Sequence, residues 1–92
     1  MTPLEAAARA ICRAEHILRI GNERTEEIDR RVEEYWKLHV SSARAAIEAI
    51  REPSKAMEEA GRREMGMDEW EGTASNVWRA MIDAALAEGE TP

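Results

Sequence analysis

The chain has 92 residues, of which 43% are apolar, and carries a net charge of −6, a composition that fits one small globular domain spanning residues 1–92. Its single cysteine, Cys12, excludes an internal disulfide and a cysteine-based zinc site and predicts a cytoplasmic location. Neither a basic-then-apolar leader nor an apolar run near ~18 residues is visible, so we expect no standard secretion signal and no membrane span.

The excess negative charge lies in the second half of the chain. Residues 1–46 carry eight basic and eight acidic side chains, whereas residues 47–92 carry five basic and eleven acidic ones. Binding to a phosphate backbone needs a clustered basic face. Direct nucleic-acid binding is therefore disfavoured, and a protein partner with a basic surface is favoured.

The first predicted helix covers residues 3–20. Thr2 is placed as its N-cap, Pro3 as its first helical residue and Glu5 as the carboxylate of a capping box. Apolar residues recur at helical spacing until Gly21, which supplies the left-handed conformation that ends many helices.

Residues 25–50 predict the longest helix. Thr25 is placed as its N-cap, and Pro53 prevents continuation much beyond Ile50. Ser41 and Ser42 offer an alternative, a bend or break in the middle, because their hydroxyls compete for backbone groups. Residues at steps of three and four would lie on one face: Ile28, Val32, Tyr35, Trp36, His39, Val40, Ala43, Ala46, Ile47 and Ile50.

The remaining chain predicts a short helix after Pro53, with Gly61 and Gly66 as stops, and then a surface loop up to Thr73. A last helix, capped by Thr73 or Ser75, ends at Gly89, and residues 89–92 are expected to fray. The predicted fold is all-α: a small three- to four-helix bundle in which the long central helix packs between the first and last helices.

The candidate catalytic and metal-binding groups have simpler structural interpretations. Cys12 and His16 share a helix face, but no third ligand with matching spacing accompanies them, and the pattern fits a half-buried thiol beside a surface imidazole. His39 fits a hydrogen-bonded histidine at the edge of the core. Adjacent glutamate pairs point about 100° apart on a helix and fit solvated faces. We predict no enzyme activity, no cofactor and no metal site.

The predicted protein-binding residues cluster around the loop. Trp70 lies between carboxylates, and two interpretations stay open: it folds back over the core, or it is an exposed anchor whose acidic surroundings select a basic partner. Trp36 and Trp78 are predicted to be core residues. The candidate binding residues are Glu58, Glu59, Arg62, Arg63, Asp68, Glu69, Trp70 and Glu71.

Three alanine-rich segments carry a resemblance: AAARAICRA at 6–14, ARAAIEAIREPSKAMEEAG at 43–61 and VWRAMIDAALAE at 77–88. In these the chain resembles small uncharacterised helical proteins of proteobacterial phages and prophages, although its charged stretch from Ala14 to Arg31 is longer than in that pattern. The resemblance implies a phage accessory protein that binds one host protein, such as an inhibitor of a CRISPR-type defence complex.

The sequence thus predicts a non-enzymatic protein-binding module, plausible as a phage-derived inhibitor of a host defence complex, that acts through an acidic surface. Two alternatives remain: a structural homodimer in which residues 25–50 pair with their copy, and a small nucleic-acid-binding regulator.

Overall fold

The computed structural model describes residues 1–66 and 72–90, and in these two ranges every regular element is helical. The all-α fold class is therefore confirmed. Five α-helices are joined in chain order, with a 3₁₀ segment, Trp36–His39, between the second and third. They are α1 (Pro3–Ile20), α2 (Thr25–Tyr35), α3 (Val40–Ala49), α4 (Lys55–Met65) and α5 (Thr73–Glu90).

Helix α1 has the predicted bounds and the predicted caps. The Thr2 hydroxyl accepts a hydrogen bond from the Glu5 backbone N–H at 3.1 Å, and Pro3 occupies the first turn. Gly21 ends the helix at φ 83°, and its N–H donates to the Ile17 carbonyl at 2.8 Å. Only glycine adopts a positive φ without steric cost, so this stop is encoded locally.

The predicted long central helix is interrupted, which corrects the expectation of one continuous α-helix from residue 25 to residue 50. Tyr35 (φ −118°, ψ −2°) and His39 (φ −101°, ψ 5°) leave α-helical geometry on either side of the 3₁₀ segment. The break precedes Ser41 and Ser42, which lie inside α3. Trp36, at the start of the segment, packs against two separate core clusters, and the bend lets one side chain reach both.

Helix α1, rather than the central segment, is the hub of the fold. It contacts α2, the 3₁₀ segment, α3 and α5, whereas α4 contacts only α5 among the described helices. The core has two clusters along α1: one is Leu4, Ala8 and Ala43, and the other is Cys12, Ile28 and Val32. The predicted order, with the second helix between the first and last, is therefore wrong.

Of the two predicted stops of helix α4, Gly66 is the one that ends it, and Gly61 lies inside the helix. Gly66 adopts the left-handed conformation (φ 67°, ψ 21°) and donates to the carbonyls of Arg62 and Arg63. Residues 61–65 of the predicted surface loop are therefore helical, and residues 67–71 lie outside the described range. At the end of the chain Gly89, predicted as a stop, lies within α5; residues 91–92 of the predicted frayed tail lie outside the described range.

The molecule is elongated and its core is thin. The radius of gyration is 16.7 Å and the principal extents are 52 × 31 × 18 Å, whereas a compact chain of this length has a radius of gyration of about 12 Å. Eight described apolar residues are buried, and three of them are alanines. Much of the apolar surface that the helical pattern predicts as core is consequently left in contact with solvent.

Candidate protein-binding groove

The structure divides the predicted binding residues into two groups. Glu58, Glu59, Arg62 and Arg63 all lie on α4, with Glu58 and Arg62 half-buried and the other two exposed. Asp68, Glu69, Trp70 and Glu71 lie outside the described residues, so both interpretations of Trp70 stay open. The binding surface is therefore described from α4 and α5.

An apolar groove runs between α4 and α5, with a volume of about 360 Å³. On the α4 side its walls are Met57 and Met65, and on the α5 side they are Val77 and Met81, with Pro53 and Trp78 toward one end. The four wall residues are between 40% and 61% exposed. These exposed apolar side chains are grouped in one groove rather than scattered singly over the surface, which is a feature of interaction sites. We refer to it as the α4–α5 groove.

The floor of the groove is made of small residues. Ala74 and Ser75 are buried at the start of α5, opposite Gly61 on α4. A Cβ atom placed on Gly61 would lie 3.0 Å from the Ala74 Cβ, which is closer than van der Waals contact allows. The absence of a side chain at Gly61 therefore permits a helix–helix distance at which a Cβ atom would have to displace Ala74 by a few tenths of an ångström.

Charged residues are unevenly arranged around the groove. The two charged side chains that line it, among the residues described, are Glu58 and Glu64. Lys55, Glu59 and Arg62 lie around a second depression on α4, which Glu58 also lines. The groove therefore presents negative charge beside its apolar walls, although α4 as a whole carries both signs.

Specific polar contacts hold α4 and α5 in place. The Ser54 hydroxyl caps α4 by accepting from the Met57 N–H at 3.2 Å, and the Glu58 carboxylate accepts from the Gly72 N–H at 3.3 Å, just before α5 begins. At the other end the Trp78 indole N–H donates to the Ile50 carbonyl at 2.8 Å. Trp78, predicted as core, is instead half-buried, and its ring helps to form the groove.

Two ion pairs join α5 to the segment before α4. Arg51 makes two hydrogen bonds to Asp83, at 2.8 and 3.0 Å, and Arg79 donates to Glu52 at 2.8 Å. The hydrogen bond from Arg51 lowers the pKa of Asp83, and the hydrogen bond from Arg79 lowers the pKa of Glu52. Both carboxylates are more than half exposed, so each pair contributes only modestly to stability.

These ion pairs predict a specific pH dependence. A carboxylate with a lowered pKa in the folded state adds stability that is complete above about pH 5 and is lost as the pH falls below about 4. We expect the double variant Glu52→Gln, Asp83→Asn to melt at a slightly lower temperature than the parent chain at pH 7, and the difference to shrink as the pH is lowered toward about 2. Thermal unfolding followed by circular dichroism at both pH values measures this, and a difference that persists at low pH would contradict it.

The Cys12 and His16 pair differs from the sequence-based interpretation. Both side chains are buried, at 0% and 8% exposure, whereas the pattern predicted a half-buried thiol and a surface imidazole. His16 packs against Tyr35, with the ring centroids 6.1 Å apart. No group of three potential metal ligands occurs within the described ranges. These two residues are part of the packing between α1 and α2.

Burial also predicts the reactivity of the thiol. Desolvation raises the pKa of Cys12, and the nearby Glu15 charge adds to the effect, so little thiolate forms at neutral pH. We expect an aromatic disulfide reagent to modify Cys12 at least about 100-fold more slowly in the native protein than in concentrated denaturant, because reaction requires local opening. Absorbance stopped-flow or manual mixing measures both rates, and equal rates would show that the site opens freely.

His39 and the glutamate pairs have structural partners. The His39 Nε2 lies 3.3 Å from a Glu15 carboxylate oxygen, and its side chain is 17% exposed, as expected of a histidine at the edge of the core. Glu15 also accepts from Arg19 at 2.6 Å. Glu27 pairs with Arg31 and Glu33 with Arg9. None of these groups lines the α4–α5 groove.

The sequence does not predict the groove itself, although it does show the helical spacing of the apolar residues that form the groove walls. Met57, Gly61 and Met65 follow at steps of four, and Ala74, Val77 and Met81 follow at steps of three and four, so each set shares a helix face. The apolar spacing predicts that this face of α5 belongs to the core. Periodicity identifies an apolar face, but it does not show what covers that face.

Comparison with protein-family models, with curated proteins and with solved structures gave no significant match. No helix in the described part of the chain is both long enough and apolar enough to cross a bilayer. The resemblance to phage and prophage proteins stays a prediction.

Proposed function

We propose that the protein is a non-enzymatic binding module that associates with a protein partner through its α4–α5 groove and the glutamates beside it. The observation that carries this proposal is an apolar groove whose wall residues are 40–61% exposed. Leaving such a surface in water is unfavourable by roughly 25 cal/mol per Å² of apolar area, and a bound partner would remove that cost.

Charge indicates the kind of partner. The chain has a net charge of −6, and the charged residues described in the groove are glutamates. Complementary charge speeds association and disfavours wrong partners, so the partner surface should be basic. The cytoplasm, suggested by the single cysteine, is the compartment we propose for this interaction.

A homodimer is the second candidate, and a specific observation favours it. On the segment from residue 25 to residue 50, Tyr35, Leu38 and Ile50 are 40%, 77% and 50% exposed. Pairing of this segment with its copy would cover these side chains. Light scattering across a range of protein concentrations separates the two: a monomer at every concentration removes the dimer.

Capture of a partner tests the binding module. The immobilised protein is exposed to a proteobacterial lysate, and any retained basic protein is purified and titrated against it. We expect a stoichiometric complex that Glu64→Lys, a change at a glutamate lining the groove, weakens. Glu34→Lys, at an exposed glutamate on α2, should leave it intact. If no stoichiometric complex forms with any purified candidate, the proposed function is wrong.

The more specific role, a phage-derived inhibitor of a CRISPR-type defence complex, rests on the resemblance alone. Its test is a plasmid-interference assay in a host with active immunity. Expression of the protein should restore plasmid uptake, and unimpaired interference would remove this role while leaving the binding module in place.

A further inference from the structure

We propose that the segment bound by the α4–α5 groove is an amphipathic helix of a partner protein, with basic residues beside its apolar face. This inference rests on the proposed binding function and adds the conformation and charge of the bound segment.

The dimensions of the groove suit a short helix. Its α4 wall has eleven residues, which at 1.5 Å per residue gives a length of about 16 Å. That length matches about three turns of a bound helix, enough for apolar anchors at i, i+4 and i+7. Small residues at the floor, Gly61 and Ala74, leave room for those anchors between the walls.

The walls are chemically suited to a helical ligand. Met57, Met65 and Met81 account for three of the five methionines of the chain. Methionine is unbranched and polarisable, so it adapts to apolar side chains of different shape, and it is frequent on surfaces that accept helices. The groove is also open, with Met81 61% exposed, whereas small-molecule sites enclose about 70–90% of their ligand. A helix lying along the groove fits this shape better than an enclosed small molecule.

The position of charge around α4 specifies a basic ligand. On a helix with 100° between successive residues, Glu58 and Glu64 lie about 60° to either side of Gly61, which marks the groove. Lys55, Arg62 and Arg63 lie about 100° or more away from it. Among the described residues, negative charge therefore lies along the α4 wall of the groove, and the positive charges of α4 are turned away from it. A second copy of this chain, with its net charge of −6, is a poorer electrostatic match.

A designed peptide provides the test. The probe is a labelled helix of about 14 residues, four turns, with leucines on one face and lysines elsewhere. One comparison peptide has the same composition with its leucines distributed around the helix, and another has glutamate in place of lysine. Fluorescence anisotropy should show binding of the probe, with at least about tenfold weaker binding of either comparison peptide.

Matched variants locate the binding. Met81→Ser removes one exposed apolar side chain from the α5 wall and should weaken binding of the peptide about tenfold. Leu18→Ser is the control, because this leucine on α1 is 87% exposed and its replacement should change binding less than about twofold. Glu64→Lys should weaken binding several-fold and reduce its salt dependence. Glu34→Lys, the same charge change on α2, should have a much smaller effect.

Several outcomes would overturn the inference. Equal binding by the parent chain and Met81→Ser, or equal binding of the lysine and glutamate peptides, contradicts the proposed ligand. Dimerisation of the parent chain that Met81→Ser abolishes would show that a second copy occupies the groove. If a captured partner forms a stoichiometric complex that Met81→Ser and Glu64→Lys do not affect, this inference and the assignment of binding to the groove both fail, while a protein-binding module that uses another surface survives. Absence of any complex instead removes the proposed function.

Discussion

Replacing Ile28 with alanine is expected to lower the free energy of unfolding by about 2–4 kcal/mol. Ile28 is 2% exposed and, of the residues that the structure describes, is one of the two largest whose side chains are fully buried. It packs with Cys12 and Val32 between α1 and α2. Because the core is thin, few neighbours are available to collapse into the cavity that the substitution leaves.

Denaturant unfolding followed by far-ultraviolet circular dichroism measures the change in free energy, and thermal unfolding measures the change in Tm. For a domain of this size a loss of 1 kcal/mol corresponds to about 4–8 °C in Tm, so the melting temperature should fall by at least about 8 °C. Leu38→Ala is the control, because Leu38 is 77% exposed and its truncation should change stability by about 0.5 kcal/mol or less. Similar losses in both variants would show that the α1–α2 cluster is not the centre of stability.

The local signals of the sequence predicted local structure well. Thr2, Pro3 and Gly21 set the bounds of α1 because capping and positive φ are properties of a few adjacent residues. The all-α class is likewise predicted locally, because apolar spacing at three and four residues is a property of neighbouring turns of one helix. Thr25, predicted as an N-cap, is instead the first residue of α2, and Arg24, at the cap position, makes no side-chain hydrogen bond to the first turn.

Tertiary contacts decided what local signals could not. The break begins at Trp36, whose ring packs against two clusters to which α1 contributes Leu4, Ala8 and Cys12, and nothing within residues 25–50 encodes the position of α1. The local sequence predicts a helix stop at Gly61, yet Gly61 lies within α4, opposite Ala74. The same limit applies to the groove: the spacing of Met57 and Met81 predicts apolar faces, but only the folded structure shows that these side chains are 43% and 61% exposed.

Changing Gly61 to valine is expected to detach α4 from α5 while the rest of the fold remains. The new Cβ would lie 3.0 Å from the Ala74 Cβ, and overpacking of this kind costs about 1–3 kcal/mol. Intrinsic helix propensity acts in the opposite direction, because valine is a slightly better helix former than glycine. Steric overlap should prevail, since both atoms in contact are Cβ atoms fixed to helical backbones.

Hydrogen exchange resolves the effect by segment. Protection of α4 amides should fall about 5- to 150-fold, the range that corresponds to 1–3 kcal/mol, whereas amides of α1 and α2 should keep their protection because α4 contacts neither helix. Ala60→Val is the matched control: Ala60 is an exposed residue of α4, so that variant places the same β-branched side chain in the same helix without the overlap and should cost under about 1 kcal/mol.

Because Gly61 also forms the floor of the groove, Gly61→Val should weaken binding of the lysine-rich peptide as well, and Ala60→Val should not. Unchanged protection of α4 in Gly61→Val would show that the two helices do not depend on this contact, and would remove the physical basis for a groove of fixed width.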